Sequence, residues 1–211
     1  MKHIPDDVIR RLPLYLRKLD SLYENGAKRV SSGELCRSLY MQPAQLRQDL
    51  AYFGDFPQTA FAYDIDMLRR EIGRILGTYE EFSAILVGTG KIGMALLQNF
   101  GFITEGYDCL GAFDTNPDNI GSVINGVTVY DAAGLEAFLQ ENRVDIAILT
   151  VPREPAQKLT DILVAGGIKA IWNFTNEDLD VGESEIFLEN VHFSDSLLHL
   201  NYYLAKREKG E

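Results

Sequence analysis

The chain has little with which to build a covalent or metal-centred scaffold. Two cysteines, Cys36 and Cys109, stand far apart in 211 residues, and neither belongs to a pair at metal-ligand spacing. They read as reduced thiols rather than a disulfide framework. The three histidines, His3, His192 and His199, form no ligand motif, so no metal site is expected. No apolar run approaches the roughly 18 residues of a membrane span, and no signal-peptide core follows the first residues. A cytoplasmic protein without membrane contact is therefore the expectation. A surplus of positive charge is also missing. Lys and Arg number 20 against 31 Asp and Glu, a net of −11. The deficit is uneven: 12 basic and 10 acidic residues run to Thr78, whereas 8 and 21 follow from Tyr79. The first part could meet nucleic acid through a local patch, and the second would repel it.

What is present centres on Ser83 to Phe100. Ala84 to Val87 is a short apolar run, suited to a strand buried on both faces. Gly88, Gly90 and Gly93 then form G-x-G-x-x-G, and a helix-forming run follows. In a dinucleotide-binding turn the first glycine makes the tight bend. The second admits a pyrophosphate close to the backbone, and the third lets helix and strand pack. Free N–H groups and the dipole at the helix start favour the phosphates. Leu110 to Phe113 reads as the next strand and ends in Asp114, 21 residues after Gly93. A carboxylate there accepts hydrogen bonds from ribose hydroxyls and repels a 2′-phosphate, so NAD(H) is expected over NADP(H). The alternative is a nucleotide fold with an empty pocket.

Along the chain, Pro5 to Asn25 is helical, with Val8, Leu12, Tyr15, Leu16, Leu19 and Leu22 at three- and four-residue steps and Pro13 as an internal breaker. Ser31 and Ser32 look like a cap for a helix over Gly33 to Leu39. Pro43 suits the first turn of a second helix, Pro43 to Phe53. Two short helices across a tight turn suggest helix-turn-helix, in which Arg reads guanine and Gln reads adenine. An ordinary helical hairpin with a solvated polar face is an equal reading of the same pattern. Gly54 to Ala62 would be a wing, and Tyr63 to Leu76 another helix. After Gly77-Thr78, strands at Ala84–Val87, Leu110–Phe113, Val127–Val129, Ile146–Thr150 and Ala170–Asn173 alternate with helices at Ile92–Asn99, Ala132–Glu141 and Pro155–Val164. This is the α/β pattern of a doubly wound parallel sheet. Thr150, Val151 and Pro152, with Asn173 and Phe174, close two strands and are candidate crevice walls. The helix Ser194 to Glu208 is broadly apolar and must bury itself on its own domain or on a second subunit.

One family is resembled nearly end to end: the Rex redox-sensing transcriptional repressors of bacteria. The resemblance is carried by Arg11-Leu12-Pro13-Leu14-Tyr15-Leu16-Arg17, by Val30-Ser31-Ser32-Gly33-Glu34-Leu35 and by Gln45 to Gly54. It continues through Ile146 to Gln157, Ala165 to Lys169, Asn173-Phe174 and Glu189-Asn190-Val191. It implies a winged helix-turn-helix domain (1–78), a Rossmann NAD(H)-binding domain (79–193) and a C-terminal helix (194–211) exchanged in a homodimer. It implies a repressor that holds double-stranded operator DNA and releases it on binding NADH. Gly88, Thr89, Gly90, Lys91, Ile92 and Gly93 would hold the pyrophosphate and Asp114 the adenine ribose. Thr150, Val151, Pro152, Asn173 and Phe174 would wall the nicotinamide side, with Phe193 as an aromatic neighbour. Arg11, Ser31, Ser32, Gln45, Arg47, Gln48 and Tyr52 would face DNA. No catalytic residue is implied.

The chain also departs from that pattern. The family's basic, glycine-rich wing, Gly-Lys-Arg-Gly-Val-Gly-Tyr, is here Pro57-Gln58-Thr59-Ala60-Phe61-Ala62-Tyr63. Its Arg-Lys-Asp-Leu is Arg47-Gln48-Asp49-Leu50. Asn99 and His192 stand where the family often has Tyr and Asp. Each lost phosphate contact lowers the salt slope by roughly 0.9. Two rival readings follow: a relative that binds NAD(H) but has lost or changed its operator, and a small NAD-dependent oxidoreductase.

Overall fold

The computed structural model describes residues 4–59, 61–99 and 106–208. Ala60 of the expected wing and Phe100 fall outside that range. The chain divides into two compact units, Met1–Glu80 and Glu81–Glu211.

In the first unit, α1 (Asp6–Glu24) runs unbroken through Pro13 and buries Val8, Leu12, Tyr15 and Leu19. Pro13 is the eighth residue of α1, so it removes one intrahelical bond to the Ile9 carbonyl, while the burial of Leu12, Tyr15 and Leu19 on either side keeps the helix continuous. Strand β1 (Arg29–Ser31) follows. Ser31 accepts from the Glu34 N–H and caps α2 (Ser32–Arg37), and Pro43 opens α3 (Pro43–Leu50). The helix expected to reach Phe53 ends at Leu50, because Ala51 to Phe53 form turns instead. Strand β2 (Gln58–Thr59) and strand β3 (Ala62–Asp64) form a hairpin, and β3 also pairs with β1. Helix α4 (Ile65–Ile75) therefore begins after Tyr63, not at it. Tyr63 buries its ring from β3, and the Asp64 carboxylate accepts from the Met67 N–H as the cap.

In the second unit, β4 (Phe82–Val87), α5 (Lys91–Asn99) and β5 (Tyr107–Asp114) form the first strand-helix-strand step. Strand β6 (Val123–Ile124), β7 (Val127–Asp131) and α6 (Leu135–Glu141) follow. Strand β8 (Ile146–Leu149), α7 (Arg153–Ala165), β9 (Ala170–Asn173), β10 (Phe187–Asn190) and α8 (Phe193–Glu208) complete it. The sheet order is β10-β9-β8-β4-β5-β7-β6, parallel except for the β6–β7 pair. Ile85 and Val87 face one apolar cluster and Leu86 the other, as do Ala147 and Leu149 against Ile148. Burial on both faces is why these strands read as unbroken apolar runs. Two strands, β6 and β10, lie outside the expected set of five. Both sit at sheet edges, where one face stays wet and no apolar run marks them. Along α8, Phe193, Leu197, Leu198, Leu200, Tyr202, Tyr203 and Leu204 are all exposed in the single chain.

One buried carboxylate ties α1 to α3. Asp49 accepts from Arg11 Nε at 2.6 Å and Nη2 at 2.8 Å, from Tyr15 Oη at 2.7 Å and from Gln45 Nε2 at 2.8 Å. Burial pushes the carboxyl up, but these hydrogen bonds outweigh it and hold its pKa below the usual carboxylate value. The sign follows by linkage. The stabilisation is complete above about pH 4 and is lost as pH falls through the lowered folded-state value. Asp49→Asn should cost on the order of 3 kcal/mol at pH 7, since it removes one partner of a buried ion pair. The difference from wild type, followed by urea denaturation, should shrink below pH 4.

Candidate functional site

The sheet's chain order reverses between β4 and β8, so the carboxyl ends of those strands open a crevice. Gly88 lies at that point with φ +97°, and its N–H donates to the Phe113 carbonyl at 2.8 Å. A Cβ on Gly88 would lie 2.8 Å from Val151 Cγ1 and 2.9 Å from the Thr150 carbonyl oxygen. At Gly93 a Cβ would lie 2.0 Å from the Gly88 carbonyl oxygen, so only glycine lets α5 pack on the turn. Thr150 Oγ1 donates to the Gly88 carbonyl at 2.6 Å and stitches β8 to the turn. Gly90 differs in kind. A Cβ there would meet nothing within 4 Å, so the backbone lies open on the side where a phosphate would approach the start of α5.

Asp114 ends β5 beside this turn. Its carboxylate accepts from the Thr89 N–H at 2.6 Å, from Thr89 Oγ1 and from the Asn116 N–H at 2.8 Å. Partial burial raises its pKa, and the hydrogen bonds from Thr89 and Asn116 more than reverse that. The acid is thus held ionised. Asn119 Nδ2 donates to Thr89 Oγ1 at 3.0 Å and completes the network. The Thr115 backbone N–H adds to the donors on Asp114, so the carboxylate both holds the loop and stays charged at the edge of the cleft.

Gly88, Gly90, Asp114, Thr150, Val151 and Pro152 line one cleft of about 690 Å³. This lies in the range of small-molecule sites. Thr89 is buried behind it, and Gly93 is buried in α5. Lys91 and Ile92 are exposed at the first turn of α5. Asn173, Phe174 and Phe193 are not among the lining residues. Asn173 Nδ2 donates to the Glu177 carbonyl and to Asn190 Oδ1, and its Oδ1 accepts from the Thr175 N–H and Oγ1. Phe174 packs on Trp172 with ring centres 4.5 Å apart, and lies 6.2 Å from the Phe193 ring. The cleft adds residues that sequence patterning did not single out: Thr115, Asn116, Asn119, Asp131 and Lys158. Asx-turn chemistry in Thr115 to Asn119 is the signal that could have marked the loop. Among the described residues, no group of three or more His, Cys, Asp or Glu could hold a metal ion.

In the first unit, Arg47 and Gln48 are exposed on α3, and Arg47 Nη1 donates to Ser32 Oγ at 3.1 Å. Tyr52 is half-exposed just beyond α3. Ser31 is engaged as the cap of α2. Arg11 and Gln45 point their donors at Asp49. The outward set on α3 is therefore Arg47 and Gln48, with Gln45 turned inward.

Among the described residues no helix is long and apolar enough to cross a membrane. A family model described as a putative DNA-binding protein N-terminus matches residues 3–51, and one described as a CoA binding domain matches residues 80–177. The redox-sensing transcriptional repressor Rex of Clostridium acetobutylicum is 41% identical over 209 residues, 99% of this chain and 97% of its own. Its counterpart in Clostridium botulinum is 42% identical and covers 98% of both chains. The crystal structure of RSP in complex with β-NADH aligns with a TM-score of 0.90 and 39% identity, over 99% of this chain and 97% of that one. The crystal structure of RSP with β-NAD⁺ and operator DNA aligns with a TM-score of 0.89 and 40% identity, over 100% and 99%. With about two-fifths identity over essentially its whole length, the chain belongs to the Rex family of redox-sensing transcriptional repressors.

Proposed function

We propose that this protein is a repressor that binds operator DNA and lets it go when NADH occupies the cleft of the second unit. The observation that carries the reading is the open backbone at Gly90, at the start of α5, in the same cleft as the ionised Asp114. Gly88, Thr89, Gly90, Lys91, Ile92 and Gly93 would hold the pyrophosphate, and Asp114 with the loop around Asn116 the adenine ribose. Thr150, Val151 and Pro152 would wall the nicotinamide side, with Asn173 and Phe174 behind them. The cofactor supplies a redox-dependent charge on its nicotinamide ring. The chain's own part is to hold one redox form better in the arrangement that does not fit DNA. By linkage, that form and DNA must then weaken each other by the same factor.

Arg47 and Gln48 would read bases, and Tyr52, Ser31 and Ser32 would meet the backbone. Arg11 and Gln45 would act by holding Asp49 and so aiming α3. The apolar face of α8 is the surface a second copy would cover by exchanging this helix, bringing Phe193 toward the partner's cofactor. Enrichment of duplexes from a random pool, followed by anisotropy titration without cofactor, with NAD⁺ and with NADH, tests the reading. Recovery of an inverted repeat that NADH releases is expected. Recovery of no duplex at low salt in any cofactor state would falsify DNA binding.

Gly90→Ala separates folding from binding. Its methyl group meets nothing in the protein, so the melting temperature should match wild type. NADH affinity, followed by quenching or calorimetry, should fall at least about tenfold because the methyl blocks close approach of the phosphate. The paired change Leu197→Glu and Leu204→Glu should leave each subunit folded and convert the protein to a monomer by light scattering, with loss of inverted-repeat binding.

A further inference from the structure

Phe61 is an exposed ring that the fold does nothing to employ. Its side chain is 88% exposed, and its backbone has φ +63°, the left-handed region where a bulky residue is strained. The hairpin fixes it there: Gln58 pairs with Tyr63 and Thr59 with Ala62, so Phe61 stands at the tip between β2 and β3. Ala62 is also in register with Ser31, the residue that caps α2. The tip thus grows from the small sheet that starts the helix-turn-helix. Tyr40, in the turn between α2 and α3, is a second aromatic of this kind, with φ +54° and 99% exposure. Strained residues that contribute nothing to the core cluster where a ligand will meet them.

The chemistry around Phe61 selects among ligand contacts. From Pro57 to Tyr63 no side chain is charged, and Asp55 and Asp64 flank the segment with negative charge. Such a wing has no cation with which to grip phosphates. It has one large apolar group at the tip of a two-stranded hairpin. Minor-groove proteins use Phe, Leu, Ile or Met in this way, pressing the side chain between base pairs and partly unstacking them. Pyrimidine–purine steps open most easily, so a wedge reads sequence through deformability rather than through base edges.

We infer that Phe61 is a minor-groove wedge, and that duplex DNA covers its ring in place of the ionic contacts a basic wing would make. The inference rests on the DNA-binding reading above and adds a specificity-determining residue to it. Because the wedge displaces no counterions, its removal should lower affinity at every salt concentration alike. The wing's contribution to sequence preference should fall on flexible steps flanking the bases read by α3.

The test uses the full-length protein and a duplex recovered from the random pool, with 2-aminopurine placed in turn at each pyrimidine–purine step outside the α3 half-sites. Phe61→Ala should weaken binding roughly 5- to 150-fold, the range an aromatic–base stack supplies. The slope of log K against log salt should stay as in wild type. Aminopurine fluorescence should rise at one step with wild type and with Phe61→Leu, which keeps an apolar wedge, and not with Phe61→Ala. Equal melting temperatures would show that the variants fold alike. Wild-type affinity in Phe61→Ala overturns the wedge. A weakened Phe61→Ala with an altered salt slope, and no aminopurine response at any step in wild type, overturns it as well, since the tip would then only position charged contacts. A wild-type chain that recovers no duplex overturns both this inference and the DNA-binding reading, whereas the preceding outcomes overturn the wedge alone.

Discussion

The cleft depends on one close approach, that of α5 to the turn it leaves. Gly93 packs so near the Gly88 carbonyl that a single methyl group would lie 2.0 Å from its oxygen. Around this contact the other constraints are arranged in order. Thr150 Oγ1 holds the Gly88 carbonyl from β8, and Asp114 holds the Thr89 N–H from β5. The end of β8 and the end of β5 thereby each hold the loop that leaves β4 with side-chain hydrogen bonds. The result is a turn whose Gly88 and Gly90 line a cleft, with a carboxylate kept ionised beside it. Preorganisation of this kind lowers the cost of ordering the loop when a ligand arrives.

The first unit solves a different problem with a similar economy. Helix α3, of eight residues, is too short to be stable alone, so its pose must come from outside it. Leu46 and Leu50 anchor one side by burial, and Asp49 anchors the end through α1. The carboxylate is almost wholly desolvated, which is costly unless every lone pair finds a donor. Arg11, Tyr15 and Gln45 meet that need, and burial together with the bond to Asp49 pushes the Tyr15 hydroxyl well above its usual range. Arg47 and Gln48 are free of this cluster and point outward. The Arg11 charge is therefore used within the fold, to set the pose of α3.

How much of this was legible in the sequence differs by element. Ala84–Val87 and Ile146–Leu149 were readable because burial on both faces leaves an unbroken apolar run. The glycine spacing gave the turn, and the distance to Asp114 gave the acid. Edge strand β10 was hidden because Phe187, Glu189 and Asn190 are exposed, and a half-solvated edge carries no run. The start of α4 is not marked by its apolar period, which extends back to Tyr63; the Asp64 cap and the pairing of β3 with β1 decide the boundary. Gln45 looked like a polar surface residue. Its inward turn is set by a buried charge four residues on, and a sequence does not announce that a charge is buried. Asn119 reaches Thr89 through the loop's shape alone. Local patterns therefore located the cleft, and tertiary hydrogen bonds determined which side chains face it.

The charge distribution places a further condition on how such a protein holds DNA. The second unit carries most of the negative charge, and the first is close to neutral. Non-specific attraction to a polyanion is therefore weak, and at low salt the acidic unit opposes it. Under the proposed reading, binding then comes from contacts that act at short range: base edges that Arg47 and Gln48 would meet, and apolar surface that the duplex would cover. Short-range contacts are sensitive to the pose of the helix that carries them. Typical coupling between two ligands amounts to roughly 1–3 kcal/mol. A domain shift that removes a single base contact reaches that magnitude, since each bidentate contact contributes about 1–3 kcal/mol. A DNA interface poor in long-range charge is thus easier to switch by a small movement than a strongly basic one. A strongly basic surface would keep its electrostatic attraction in either pose, and the dinucleotide would have far more binding energy to overcome.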